Sequence, residues 1–234
     1  MFLSDLQTNI TKKLFDSGIE TSSLDSRIIL KEIFCFDEKE LILNSKLIVP
    51  DNKINEVDEV LSRRLRGEPV SKIFGKREFY KSTFFISEDV LDPRPETELI
   101  VEIANNFILD RGYKNFIDLG TGSGCIILSI LKDNKNLSAL GIDISFKAIN
   151  IAQKNSMNLN LEKQATFIVS NWLSPISDFY DLIISNPPYI PSKDIDTLAN
   201  NVKNYDPLLS LDGGDDGLKC YREIAEDINR IISK

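Results

Sequence analysis

Asn186-Pro187-Pro188-Tyr189 follows directly on the apolar run Leu182, Ile183, Ile184 and on Ser185, so a buried strand ends in a rigid corner. Neither proline can donate a backbone hydrogen bond, and each fixes its own φ. The corner therefore offers two acceptors, the Asn186 side-chain oxygen and the Pro187 carbonyl, at a separation that the rings hold constant. Paired acceptors suit a planar NH2 group. An amide nitrogen is a poor nucleophile because its lone pair is shared with the carbonyl by resonance, so both N–H bonds must be held before that lone pair can be aimed at an electrophile. Tyr189 can stack on the same plane and face a cation. Orientation alone can lower the barrier by roughly 7 to 11 kcal/mol. Asn186, Pro187 and Tyr189 are thus the candidate catalytic residues, and Asn186, Pro187, Pro188 and Tyr189 the candidate substrate-binding set.

A second constellation is Asp118-Leu119-Gly120-Thr121-Gly122-Ser123-Gly124, a glycine-rich turn between a strand and a helix. Glycine permits the tight turn and the close approach of a ligand to bare backbone. Asp143 ends the next strand about 20 residues further on, where a doubly wound sheet presents a carboxylate to ribose hydroxyls. The loop lacks the spacing and the lysine of a phosphate loop, and it is not G-x-G-x-x-G, which disfavours a dinucleotide. Its form resembles motif I of the class I methyltransferases that use S-adenosylmethionine, a cofactor without a pyrophosphate.

Composition narrows the chemistry further. With 234 residues, 42% of them hydrophobic, the chain can bury a sizeable core and accommodate one ordinary domain with a small neighbour. There is no histidine, which removes the commonest general base and metal ligand and excludes a Ser-His-Asp mechanism; no metal site is expected. A net charge of −8 without a Lys/Arg block argues against long nucleic acid as a partner. Cys35, Cys125 and Cys220 are far apart and odd in number, and read as reduced core thiols. The N-terminus carries no basic stretch followed by an apolar one, and no window approaches a membrane span, so a cytoplasmic protein is expected.

These residues need elements to position them. Residues 1–72 read as a helical bundle from apolar spacing of three and four: Leu3, Leu6, Ile10, Leu14; then Leu24, Ile28, Ile29, Ile33; then Ile54, Val57, Val60, Leu61, Leu65. Gly18 stops the first helix, and Ser22, Ser23 or Asp25 could cap the second. Arg63, Arg64 and Arg66 read as favouring the negative end of the last helix dipole. Residues 73–95 read as a β-hairpin, Ile73 to Ser87 around a Lys81-Ser82-Thr83 turn, followed by a link from Val90 to Pro95. A helix begins near Glu96. From there strands (Asn115 to Leu119, Ser138 to Ile142, Ala165 to Val169, Asp181 to Ser185) alternate with helices (Cys125 to Leu131, Phe146 to Met157), and a closing helix runs from about Gly217 to Ile232. That rhythm predicts βαβ units and an α/β, doubly wound, Rossmann-like sheet over residues 96–234.

Asn-Pro-Pro-Tyr with the glycine loop resembles amino-group N-methyltransferases. Ile73-Phe74-Gly75, Arg77-Glu78-Phe79-Tyr80, Phe85-Ile86-Ser87, Pro93-Arg94-Pro95-Glu96-Thr97-Glu98 and Asn204-Tyr205-Asp206-Pro207 are similar to the HemK family, the glutamine-N5 methyltransferases of peptide chain release factors. The resemblance implies a class I S-adenosylmethionine-dependent methyltransferase domain behind a helical substrate-recognition domain. It implies class 1 release factors as partners, with methyl transfer to the glutamine of their Gly-Gly-Gln tripeptide. By the same resemblance Gly120, Thr121, Gly122, Ser123, Gly124, Asp143 and Asn186 match cofactor positions, Trp172 lies beside the adenine, and Arg94 and Glu96 position the cofactor pocket. Family members continue past the last helix with further strands, so this chain is expected to be C-terminally truncated, a fragment or part of a longer polypeptide, with Asp181 to Ser185 at an uncovered sheet edge. Two other readings remain at this point. One is transfer to an exocyclic amino group of adenine or guanine, disfavoured by the acidic charge; the other is an inactive cofactor-binding domain.

Overall fold

The computed structural model describes residues 1–174 and 176–232; the last two positions of the expected methyltransferase region lie outside them. The chain divides into two compact units, Met1–Phe74 and Gly75–Lys234.

The first unit is all helical: α1 (Leu3–Asp16), α2 (Ser22–Phe34), α3 (Glu38–Leu43), α4 (Asp51–Leu65) and α5 (Val70–Phe74). Leu3, Leu6, Ile10 and Leu14 of α1 bury one stripe against Ile29, Leu30 and Ile33 of α2 and Val57 and Leu61 of α4. Gly18, at φ +79, follows the end of α1 in the left-handed turn that glycine allows. The N-cap of α2 is Thr21, without a side-chain cap bond; its hydroxyl donates instead to Asp25, so none of the three expected caps serves. Leu24 points outward and is 51% exposed, because α2 turns Ser22, Asp25 and Ser26 inward ahead of its apolar stripe. α3 went unread because six residues are too few for a period to show; an Asp37/Glu40 capping box starts it, with Glu40 N donating to Asp37 Oδ1 at 2.7 Å and Asp37 N donating to Glu40 Oε2 at 2.8 Å. Cys35 is not a core thiol: it ends α2 at φ 54 and is exposed, whereas Cys125 and Cys220 are buried.

Ile73 and Phe74 are helical, which corrects the expected start of the hairpin; the strands are β1 (Lys76–Phe79) and β2 (Ser82–Phe85), antiparallel, with Phe79 opposite Ser82. The turn is Tyr80-Lys81, and Tyr80 takes φ 53, so Ser82 and Thr83 belong to the strand. In α8 (Phe146–Asn158) the buried Asn155 receives Phe85 N at 2.7 Å and donates to Phe85 O at 2.9 Å and Ser123 O at 2.8 Å, tying the hairpin to the glycine loop.

A 3-10 turn at Pro95–Thr97 leads into α6 (Glu98–Arg111). Then follow β3 (Asn115–Leu119), α7 (Cys125–Asp133), β4 (Ser138–Asp143), α8, β5 (Ala165–Val169), β6 (Leu182–Ser185), the short α9 (Asn200–Lys203) and α10 (Lys219–Ile231). The sheet is parallel in the order β5-β4-β3-β6. Its two faces are covered: Ile127, Leu128, Ile130 and Leu131 of α7 pack with Phe116 and Ala139 on one, Ile224 and Ile231 of α10 with Ile117, Leu119 and Ile142 on the other. Strand order reverses beside β3, the point at which open α/β sheets form a crevice beyond their carboxyl ends. Among the described residues β5 and β6 are the edge strands, and Tyr180 just before β6 bridges Ile232 just after α10.

Candidate functional site

At those strand ends lies a cavity of about 430 Å³, within the size range of small-molecule sites. Gly120 and Gly122 form its floor, Asp143 to Ser145 one side, Ser170 to Trp172 another, Asn186 and Pro188 a third; Asp89 to Leu91, Leu209, Ser210 and Glu223 complete the wall.

The glycine loop is held from within. Gly120 N and Thr121 N both donate to Ile142 O, at 2.9 and 2.8 Å, and Gly124 N donates to Thr121 O at 2.8 Å. Asp143 Oδ2 accepts from Gly122 N and Oδ1 from Ser145 N, both at 2.9 Å. A pyrophosphate needs free loop amides, and those of Gly120, Thr121, Gly122 and Gly124 are already engaged. Charge agrees: the lining carries Asp89, Asp143, Asp212 and Glu223 against Lys219, which suits a cationic ligand and repels a polyanion. A Cβ built on Gly122 meets no atom within 4 Å, so its backbone looks into open space; one on Gly120 comes within 3.6 Å of the Trp172 ring. Trp172 adopts φ 47, unusual for a bulky residue, and its Nε1 donates to Glu223 Oε2 at 2.7 Å. That bond ties the ring to α10.

Beneath the loop sits the carboxyl of Asp118, the first residue of the glycine-rich stretch, for which the sequence suggested no role. Asp118 is fully buried; its Oδ2 accepts from the Thr121 hydroxyl at 2.7 Å, while its Oδ1 has no partner. Burial, with the nearby Asp143 charge, pushes its pKa up to about 7, against the pull of the Thr121 hydrogen bond. Asp143 is also raised, again by desolvation, with the amides of Ser145, Gly122 and Ile144 pulling the other way. A buried aspartate inside an apolar strand was the available signal for Asp118. A bare glycine backbone facing empty space and an acidic wall together fit a cofactor that carries positive charge and lacks phosphate.

Asn186 extends β6 beside β3, and the Ser185 hydroxyl donates to Leu119 O at 2.8 Å, locking the two strand ends together. The Asn186 Nδ2 donates to Thr97 Oγ1 at 3.4 Å. Pro187 is buried, Pro188 lines the cavity, and the Tyr189 side chain is exposed. The backbone of Tyr189 is clasped by two glycines: a Cβ on Gly217 would lie 2.3 Å from Tyr189 O and one on Gly213 2.8 Å from its Cα. Thr121 and Ser123 are buried below the loop, and Gly124, at φ +78, starts α7 against Leu128 and Ala152. The structure therefore brings Gly120, Gly122, Asp143, Trp172, Asn186 and Pro188 to one cavity; Thr121, Ser123 and Gly124 shape the loop behind it.

Arg94 lies outside the lining. Its Nη2 meets the buried Asp206 Oδ2 at 2.6 Å, and Asp206 Oδ1 also accepts from Asp92 N at 3.0 Å. This clamp joins the segment before α6 to the one that contributes Pro207, Leu209 and Ser210 to the wall. Glu96 is exposed. Arg63 and Arg64, in the other unit, pair with Glu68 and Asp25. Among the described residues no cluster of His, Cys, Asp or Glu could hold a metal, and no helix is long and apolar enough to cross a membrane.

Comparison with known proteins gives two family matches, the PrmC N-terminal domain over residues 5–75 and the methyltransferase small domain over residues 81–204. A release factor glutamine methyltransferase of Caulobacter vibrioides is 38% identical over 221 residues, spanning 94% of this chain and 76% of that protein. One of Rhodospirillum rubrum is 38% identical over 217 residues, spanning 93% and 66%. Among solved structures, the catalytic domain of hMettl16 in complex with the MAT2A 3′UTR hairpin 6 superposes with a TM-score of 0.51 at 17% identity, over 74% of this chain and 65% of that one; at that identity the likeness is one of fold.

Proposed function

The chain belongs to the family of release factor glutamine methyltransferases, and from that premise we propose that it moves a methyl group from S-adenosylmethionine to the side-chain nitrogen (N5) of the glutamine in the Gly-Gly-Gln tripeptide of class 1 peptide chain release factors. The observation that carries this reading is the shared cavity: Asn186, with its donor-free proline corner, and the glycine loop with Asp143 open onto the same space. When bound, S-adenosylmethionine supplies an electrophilic methyl on a sulfonium centre.

The protein's part is placement. Gly120 and Gly122 admit the cofactor against bare backbone, Asp143 keeps the loop closed and retains spare lone pairs toward the cavity, and Trp172 offers a flat apolar wall beside the loop. Asn186 Oδ1 and the Pro187 carbonyl accept the two N–H bonds of the incoming carboxamide. With both held, the nitrogen lone pair is turned out of conjugation toward the methyl donor. No general base is required before transfer, since the proton becomes acidic only as the new bond forms. Val90, Pro207 and Leu209 contribute apolar surface to the cavity wall.

The acidic wall and a net charge of −8 weigh against a nucleic-acid base as the acceptor. The test is incubation of the chain with cofactor and a release factor, followed by fragment mass spectrometry. Methyl on the glutamine side chain of Gly-Gly-Gln supports the reading; methyl on an added DNA or RNA, with the release factor unmodified, refutes it.

A further inference from the structure

Thr97 ends the 3-10 turn that runs into α6; its backbone is already helical (φ −70, ψ −18), and its side chain makes no cap bond. Its hydroxyl instead reaches across the fold and accepts from Asn186 Nδ2 at 3.4 Å, and Thr97 itself is buried. A carboxamide has a donor end and an acceptor end on one plane. Seating the Nδ2 end on Thr97 turns the Oδ1 end away from it, and Asn186 lines the cavity. The opposite rotamer would present an NH2 group to the substrate's NH2 group, donor against donor.

We propose that Thr97 is a positioning residue for the transfer: its hydroxyl anchors the far end of the Asn186 carboxamide, so that the other end is held at the cavity for the acceptor amide. This rests on the glutamine reading above. Thr97 is itself held firmly, because its N–H donates to Arg94 O at 3.0 Å, and Arg94 is anchored on Asp206, which also receives Asp92 N. At the other end the Ser185 hydroxyl fixes the residue before Asn186. Both partners of the contact are therefore pinned by independent bonds. The Arg-Pro-Glu-Thr segment thus acts through Thr97 on the substrate side of the cavity.

The test uses Thr97→Val, which keeps the shape and removes the hydroxyl, and Thr97→Ser, which restores it. In nuclear magnetic resonance the Asn186 side-chain NH2 protons should exchange slowly in the unaltered chain and in Thr97→Ser, and on the order of tenfold faster in Thr97→Val. The Asn155 side chain, bonded to Phe85 and Ser123, should not change in any of them. With release factor as substrate, Thr97→Val should lower kcat about tenfold while the affinity for S-adenosylhomocysteine stays within twofold, and Thr97→Ser should recover most of the loss. Equal Asn186 exchange in the unaltered chain and Thr97→Val overturns the proposal whatever the activity. Failure of the unaltered chain to methylate any release factor counts against the glutamine reading alone, and the exchange comparison still decides the role of Thr97.

Discussion

Asp25 and Asp118 are both buried aspartates, one in each unit, and their surroundings are opposite. Asp25, in the first turn of α2, accepts from Arg64 Nε at 2.7 Å and from the Thr21 hydroxyl at 3.0 Å. Asp118 has one hydroxyl on Oδ2, nothing on Oδ1 and a second carboxylate close by. The bundle satisfies its buried charge internally. The methyltransferase unit leaves one oxygen of its buried carboxyl without a partner under a glycine loop whose Gly122 backbone faces open space. Around the cavity Gly120, Gly122, Gly124 and Trp172 all take positive φ, while the bundle has Gly18, Gly67 and Cys35 in that region. The unmet polarity of Asp118 lies under the loop where a ligand is expected, while the bundle's Asp25 serves stability.

The sharpest way to break this contrast is Asp25→Ala, which strands the Arg64 guanidinium in the bundle. It should destabilise the first unit by about 3 kcal/mol, read by denaturant unfolding, with cofactor affinity unchanged in calorimetry. Asn186→Ala should do the reverse: methyl transfer falls on the order of 10²-fold, or about 2.7 kcal/mol, while the melting temperature and the affinity for S-adenosylhomocysteine hold. Near-normal transfer would remove Asn186 from the reaction.

Asp118→Asn tests the orphaned carboxyl by pH. The folded pKa of about 7 lies above the ordinary 3.8, so the folded state keeps the proton across that window and the unfolded state does not. The stability this contributes is present at low pH and lost as pH rises through 7. Between pH 5 and pH 8 the unaltered chain should lose about 2 kcal/mol more than Asp118→Asn, measured by urea titration at each pH. Parallel curves would mean that Asp118 does not titrate there. The smallest effect belongs to Trp172→Phe, which keeps the ring but drops the bond to Glu223; cofactor affinity should weaken about fivefold, in a titration at fixed pH.

What the sequence made legible follows the same division. Strand β3, with Phe116, Ile117 and Leu119 buried, is a run that reads correctly from apolar residues alone, and the alternation of β3, α7, β4, α8 and β5 gives the doubly wound sheet. The order beside β3 places Asn186 and the glycine loop at one end of the sheet. Local pattern failed where length or contact ruled instead. α3 is too short for periodicity, α5 was hidden because Ile73 and Phe74 also suit the start of a hairpin strand, and Leu24 is apolar by type but faces solvent. The cavity wall from Asp206 to Ser210 carries no period at all; it is placed by the Arg94–Asp206 pair, whose partners lie 112 residues apart. The contact of Thr97 was hidden for a similar reason, since its hydroxyl meets Asn186, 89 residues away and just past β6.

The most direct test of the central claim, that a donor-free corner holds a carboxamide against a methyl donor, is the site of modification. A release factor incubated with the chain and isotopically labelled S-adenosylmethionine should carry the label on the side-chain nitrogen of its Gly-Gly-Gln glutamine, and a factor with that glutamine replaced should carry none. Label retained in the replaced factor, or found on a carboxylate, a hydroxyl or a nucleic acid instead, would contradict the account.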